Sequence, residues 1–130
     1  MKRLAILFAV LALVAAACGG SDDDGASTET TAGSGGGSGN VAAGETFYQG
    51  TCATCHGPDA EGIDGLGKDL HNNQFIQSNT DDQMVAFLKV GRPASDPANT
   101  TGVDMPPKGG NPSLTDGDLL DIVAFLNTLQ

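Results

Sequence analysis

The residues best equipped for chemistry lie in "GTCATCHGPD", Gly50 to Asp59, where Cys52 and Cys55 stand three positions apart with His56 directly behind them. Three chemistries use such a set: a tetrahedral zinc site, a thiol redox pair, and covalent haem attachment, whose pattern is C-x-x-C-H. A structural zinc site needs four N or S ligands, and only Cys18 and His71 remain to supply the fourth. A thioredoxin-like pair belongs beside a βαβ pattern, and no alternating strand pattern occurs here. For haem, thiols three residues apart after a short helix reach the two vinyl groups on one porphyrin edge, and His56 then sits under the iron as proximal ligand. Haem is the preferred reading, with zinc and thiol chemistry as alternatives.

Three segments with helical periodicity could position these groups. In "VAAGETFYQG", Gly44 and Tyr48 lie one turn apart on one face, and Gly50 is expected to end the helix. A glycine inside so short a helix costs stability, so another backbone or a ring should pass close to Gly44. The second helix is expected from about Thr80 to Val90, with Thr80 as cap, Gln83 at the capping-box position and Asp81 and Asp82 at the positive end. Its apolar face carries Met84, Phe87 and Leu88, and Gly91 and Pro93 stop it. The third has Thr115 as cap, Asp116 and Asp118 in its first turn, and Leu119, Ile122, Val123, Leu126 and Leu129 at helical spacing. Long Gly-, Pro- and Asn-rich connections, 57–79 and 91–113, join them. With one Tyr, no Trp and so much loop, this domain needs something else in its core, and a large apolar porphyrin would supply it.

Ahead of this domain, "MKRLAILFAVLALVAAAC" has a basic start, an apolar run from Leu4 to Ala17 and small residues before Cys18. Residues 1–17 are expected to be an export signal peptide. As a helix the run covers about 21 Å, short of the roughly 30 Å of a bilayer core. "VAAAC" resembles the lipobox of bacterial lipoproteins, with Ala15 where leucine is usual, which implies cleavage before Cys18 and diacylation of its thiol. Two acyl chains give stable anchoring where one gives marginal binding. Residues 18–40 then form a lipidated, Gly/Ser/Asp-rich flexible tether with an end-to-end distance of about 25 Å. Cleavage leaves Lys68, Lys89, Arg92 and Lys108 against all 16 acids, a net charge of −12. No nucleic-acid partner is expected, since phosphate binding requires clustered Lys and Arg.

Residues 41–130 resemble a class I c-type cytochrome, because several features coincide in that family's order. The resemblance implies an all-α fold of short helices and long loops around one covalently bound haem c, with crossing N- and C-terminal helices. Gly44 and Tyr48 would meet Ile122 and Phe125 at that crossing. "CHGPDAEG" matches the family's C-H-G followed by a glycine, Gly62. Cys52 and Cys55 are then the thioether residues and His56 the proximal iron ligand. Met105, followed by Pro106 and Pro107 on the loop before the last helix, is the distal one. A thioether there favours ferrous iron. Met84, on an apolar helical face, reads as core, and His71 is the rival for the sixth position. Many family members have a proline whose carbonyl accepts the Nδ1 proton of the axial histidine; "GIDGLGKDL" has none. A carbonyl near Leu66 or Gly67 is expected instead.

With both axial positions filled, the expected function is single-electron transfer between redox proteins of a respiratory chain, donor on one side and oxidase or reductase on the other. No catalytic residue and no free small-molecule substrate are expected, and the protein is expected in the periplasm or on the outer face of the cytoplasmic membrane, anchored at Cys18. The alternatives are a cytochrome subunit of an oxidase or dehydrogenase complex, and a haem protein with a labile methionine that binds a gas or peroxide.

Overall fold

In the computed structural model, residues 39–130 are described. The expected signal peptide, the lipidation at Cys18 and the tether as far as residue 38 lie outside the described residues. Helix α1 (Val41–Phe47) is capped by Asn40, the last residue of the expected tether, whose side chain accepts from Ala43 N–H at 3.1 Å. The Asn40 N–H in turn donates to Asp121 Oδ1 at 2.7 Å, tying the start of α1 to the last helix.

The first helix does not end at Gly50. It continues through a π-helical turn, Tyr48–Cys52, into α2 (Ala53–His56), and the chain leaves helical geometry only at Gly57, at φ 80°. Gly50 has open space around it, so nothing forces a stop there. The i→i+5 turn inserts one residue into the helical register. Since each residue turns a helix by about 100°, this resets which side chains of the following turn face inward.

The next elements follow their caps. A single-turn helix α3 (Gln74–Gln77) starts at Asn73, whose side chain accepts from Phe75 N–H. Helix α4 (Asp81–Val90) begins with the capping box expected from Thr80 and Gln83 and stops at Gly91. A short 3₁₀ turn, Pro107–Gly110, precedes α5 (Asp116–Asn127), which opens with a second capping box, Thr115 with Asp118. Among the described residues there is no strand, only isolated bridges pairing Ile63 with Gly67 and Arg92 with Met105. The architecture is all-α.

Helices α1 and α5 cross at Gly44. A methyl group there would overlap the carbonyl of Asp121 and come within 3.0 Å of Ile122 N, which accounts for glycine at a costly position. One turn on, the Tyr48 ring tilts against Phe125 with centroids 5.2 Å apart. The core spreads from this crossing through Leu119, Ile122, Val123 and Leu126 of α5 to Met84 and Leu88 of α4, with Ile76 of α3 and Leu114. The last residue closes the structure: Gln130 Oε1 accepts from Asn73 N–H at 2.8 Å, and its Nε2 donates to Leu70 O at 2.9 Å and Leu126 O at 2.7 Å.

Candidate functional site

Between α2, α4, α5 and the loops lies a cavity that is partly open to solvent. Cys52, Cys55 and His56 line it from the end of the first helix, and Met105 and Pro106 from the loop before the 3₁₀ turn. Met84, Phe87 and Leu88 of α4 and Leu119, Ile122 and Leu126 of α5 supply apolar wall. The five residues that sequence chemistry singled out fall into two groups. Cys52, Cys55, His56 and Met105 share this cavity, whereas His71 is absent from its wall.

His56 is held by its second nitrogen. Its Nδ1 lies 2.8 Å from the carbonyl oxygen of Lys68, and because a carbonyl can only accept, the neutral ring carries its proton on Nδ1 and leaves the lone pair on Nε2. That is the state a metal-binding imidazole needs. The acceptor is Lys68 rather than Leu66 or Gly67, and the reason is local. A tight turn uses the Gly67 carbonyl to accept Ile63 N–H at 2.9 Å, so the next carbonyl to become free is that of Lys68. Gly67 also brings the turn against α2, since a side chain there would overlap the Cys55 carbonyl.

Met105 is fixed from both sides. Its N–H donates to Arg92 O and its carbonyl accepts from Arg92 N–H, each at 2.8 Å. At Gly91, with φ 74°, any side chain would overlap the Met105 carbonyl and lie 2.8 Å from Pro106; the stop of α4 is thus also the seat of the methionine loop. Beyond it, Lys108 Nζ donates to Leu114 O at 2.6 Å. Met84 is 3 % exposed within the core, as its helical position suggested, and it also touches the cavity.

Tyr48, fully buried, donates its hydroxyl to Gly57 O at 2.7 Å, and burial pushes its phenol well above the ordinary value, with Cys52 adding to the effect. Burial, and then the neighbouring Cys55, push the Cys52 thiol up to about 11. A reactive redox thiol is lowered instead, so the surroundings of Cys52 do not favour its thiolate. Among the described residues no three His, Cys, Asp or Glu side chains converge as a metal cluster, which leaves zinc without its ligand set. His71 is engaged by Asp69, its Nδ1 lying 3.0 Å from Asp69 Oδ1, which also accepts the His71 backbone N–H at 2.8 Å.

An apolar cavity with two thiols, an imidazole with a free Nε2 and a thioether on its wall fits a flat, covalently attached iron porphyrin. No curated protein matches the sequence. The family described as Cytochrome c matches residues 41–130, and its members carry haem c bound covalently through the C-x-x-C-H region that here holds Cys52 and Cys55. By that match, and with an all-α fold and cavity to suit it, the chain belongs to the cytochrome c family.

Proposed function

We propose that the chain is a membrane-tethered carrier of single electrons, with haem joined to Cys52 and Cys55 by thioethers and its iron ligated by His56 and Met105. Haem-based electron transfer is the chemistry of the family; the ligands, the tether and the route are this proposal. The observation that carries it is that His56 and Met105, 49 residues apart in sequence, line one apolar cavity and are each held by backbone hydrogen bonds.

When bound, the iron porphyrin cycles between ferrous and ferric states and stores one electron. The protein's residues do the rest. Lys68 O holds the imidazole in the tautomer that ligates, and the Arg92 and Met105 backbone pair keeps the thioether from swinging away. The α4 and α5 side chains exclude water, which favours the less charged ferrous state. Acylation of Cys18 would keep this unit at the outer face of the cytoplasmic membrane, within reach of a respiratory donor and an oxidase or reductase. The acidic surface suits partners with basic docking faces.

The test is optical. The reduced protein is expected to show a c-type spectrum, and the oxidised protein a weak sulfur-to-iron band at the red edge. Met105→Ala should abolish that band and open the ferrous protein to carbon monoxide, while His71→Ala should leave both unchanged. A band that survives Met105→Ala and is lost in His71→Ala refutes the ligand assignment. Rapid carbon monoxide binding by the unmutated ferrous protein would favour the gas-reactive alternative. The mass of the mature protein reports haem attachment and acylation at Cys18 together.

A further inference from the structure

The chain between Arg92 and Met105 has no apolar anchor. No residue of the segment 93–104 is buried or belongs to the core, so hydrogen bonds alone hold its shape, and a segment of that kind opens locally with little free energy. The two backbone bonds that fix Met105 to Arg92 form the rung at the neck of this loop. Whatever frays the loop loosens that rung.

One side chain braces both legs. The Asn99 amide nitrogen donates to Pro93 O at 3.2 Å, on the leg leaving Arg92, and to Val103 O at 2.7 Å, on the leg entering Met105. Its amide oxygen accepts the Gly102 N–H at 3.0 Å, the Thr101 N–H at 3.1 Å and the Thr101 hydroxyl at 3.2 Å. Both amide hydrogens are thus used across the loop and the oxygen on its tip, which fixes the orientation of the amide, since an oxygen has nothing to donate to two carbonyls. A second side-chain brace, Asp104 Oδ1 accepting the Ala94 N–H, lies nearer the neck. Asn99 lines the same cavity as Met105.

We propose that Asn99 is the positioning residue for the distal thioether: its amide holds the loop 93–104 closed, and the closed loop holds Met105 at the cavity. The proposal deepens the ligand assignment above and rests on it. The action is indirect, because Asn99 reaches Met105 through the Val103 carbonyl, two residues ahead of it. Two backbone bonds at a neck contribute little against the entropy of an open loop. Crossing bonds farther along shorten the free stretch that the neck must close, so the rung persists and the sulfur stays where the backbone presents it.

The experiment compares the unmutated holoprotein with Asn99→Asp, Asn99→Ser and Asn79→Ala. It reads the sulfur-to-iron band of the oxidised form, the rate of carbon monoxide binding to the ferrous form, and urea unfolding. Asn99→Asp keeps the size and the acceptor oxygen but sets a second oxygen against two carbonyls. It is expected to weaken the band and to speed carbon monoxide binding, which waits on departure of the thioether, roughly tenfold. Asn99→Ser, too short to span the legs, should do the same. Asn79 is an asparagine brace outside the methionine loop, its amide donating to Phe75 O at 2.7 Å ahead of α4. Asn79→Ala should lower the urea midpoint and leave band and rate unchanged. A haem-loaded Asn99→Asp with the parent's band and rate overturns the proposal, and so does an Asn79→Ala that alters both as far. Should Asn99→Asp fail to accumulate, an unchanged band and rate in Asn99→Ser overturn it equally. Failure of the ligand assignment is separate: the unmutated protein would then lack the c-type spectrum or the sulfur-to-iron band.

Discussion

Exchanging two glycines of the first helix for alanine should have opposite effects on stability, and the sign at each is set by its neighbour. Away from any neighbour, Gly→Ala in a helical segment gains about 0.8–1 kcal/mol. Gly50 is that case, exposed and with nothing within 4 Å of where a methyl would stand. Gly44 is the reverse, because the methyl would overlap the Asp121 carbonyl, and a backbone atom cannot rotate aside as a side chain does. Overpacking costs about 1–3 kcal/mol in general; with backbone on both sides of the crossing the cost lies at the top of that range. Set against the propensity gain, Gly44→Ala should lose about 2 kcal/mol net. For a domain of this size that lowers the thermal midpoint by roughly 8–16 °C, while Gly50→Ala raises it by a few degrees. The assay is urea unfolding of the haem-loaded variants by far-ultraviolet circular dichroism, comparing midpoints at unchanged slope. A Gly44→Ala protein as stable as its parent would show that α1 and α5 do not cross at this residue.

Two further outcomes follow from the site. Tyr48→Phe removes the 2.7 Å bond to Gly57 O, yet that carbonyl still accepts Ala60 N–H at 3.2 Å; the loss in urea unfolding should be about 1 kcal/mol, without change in the reduced spectrum. The Asp69 carboxyl is held below its ordinary value, first by the His71 backbone N–H and then by its side chain. A depressed carboxyl stabilises the fold above its unfolded value of about 3.9 and loses that contribution as pH falls through the folded one. Asp69→Asn should therefore flatten the acid limb of the stability curve by lowering stability near neutrality while leaving it unchanged at low pH, as read from urea midpoints across pH.

Much of this was legible because short-range chemistry dictated it. Thr80 with Gln83 and Thr115 with Asp118 are capping boxes whose partners lie three residues away, so no tertiary information was needed to find them. Gly44, unfavourable where it stood, betrayed a close approach, and the resemblance to a family named α5 as the partner. The place of Met105, ahead of Pro106 and Pro107 on the loop before α5, came with the resemblance to a family rather than from local chemistry. The features that escaped depend on partners distant in the chain or on a single hydrogen bond. The π turn at Tyr48–Cys52 has no sequence signature, and Gly50 looked like a stop because glycine often is one. Helix α3 is one turn long, too short for any periodicity. The carbonyl that holds His56 moved one residue on because the turn at Ile63 had already engaged Gly67. The stacking of Arg92 on Phe75 and Phe87 becomes visible only when α3 and α4 are brought together.

The pairing of α1 with α5 also sets a clock. Asn40 and its partner Asp121 are 81 residues apart, so a growing chain has no surface on which to seat its first helix until nearly all of it has been made. At synthesis rates of 5–20 residues per second that interval is roughly 4–16 s. Until the last helix arrives, the Gly44 face of the first has no partner to close on.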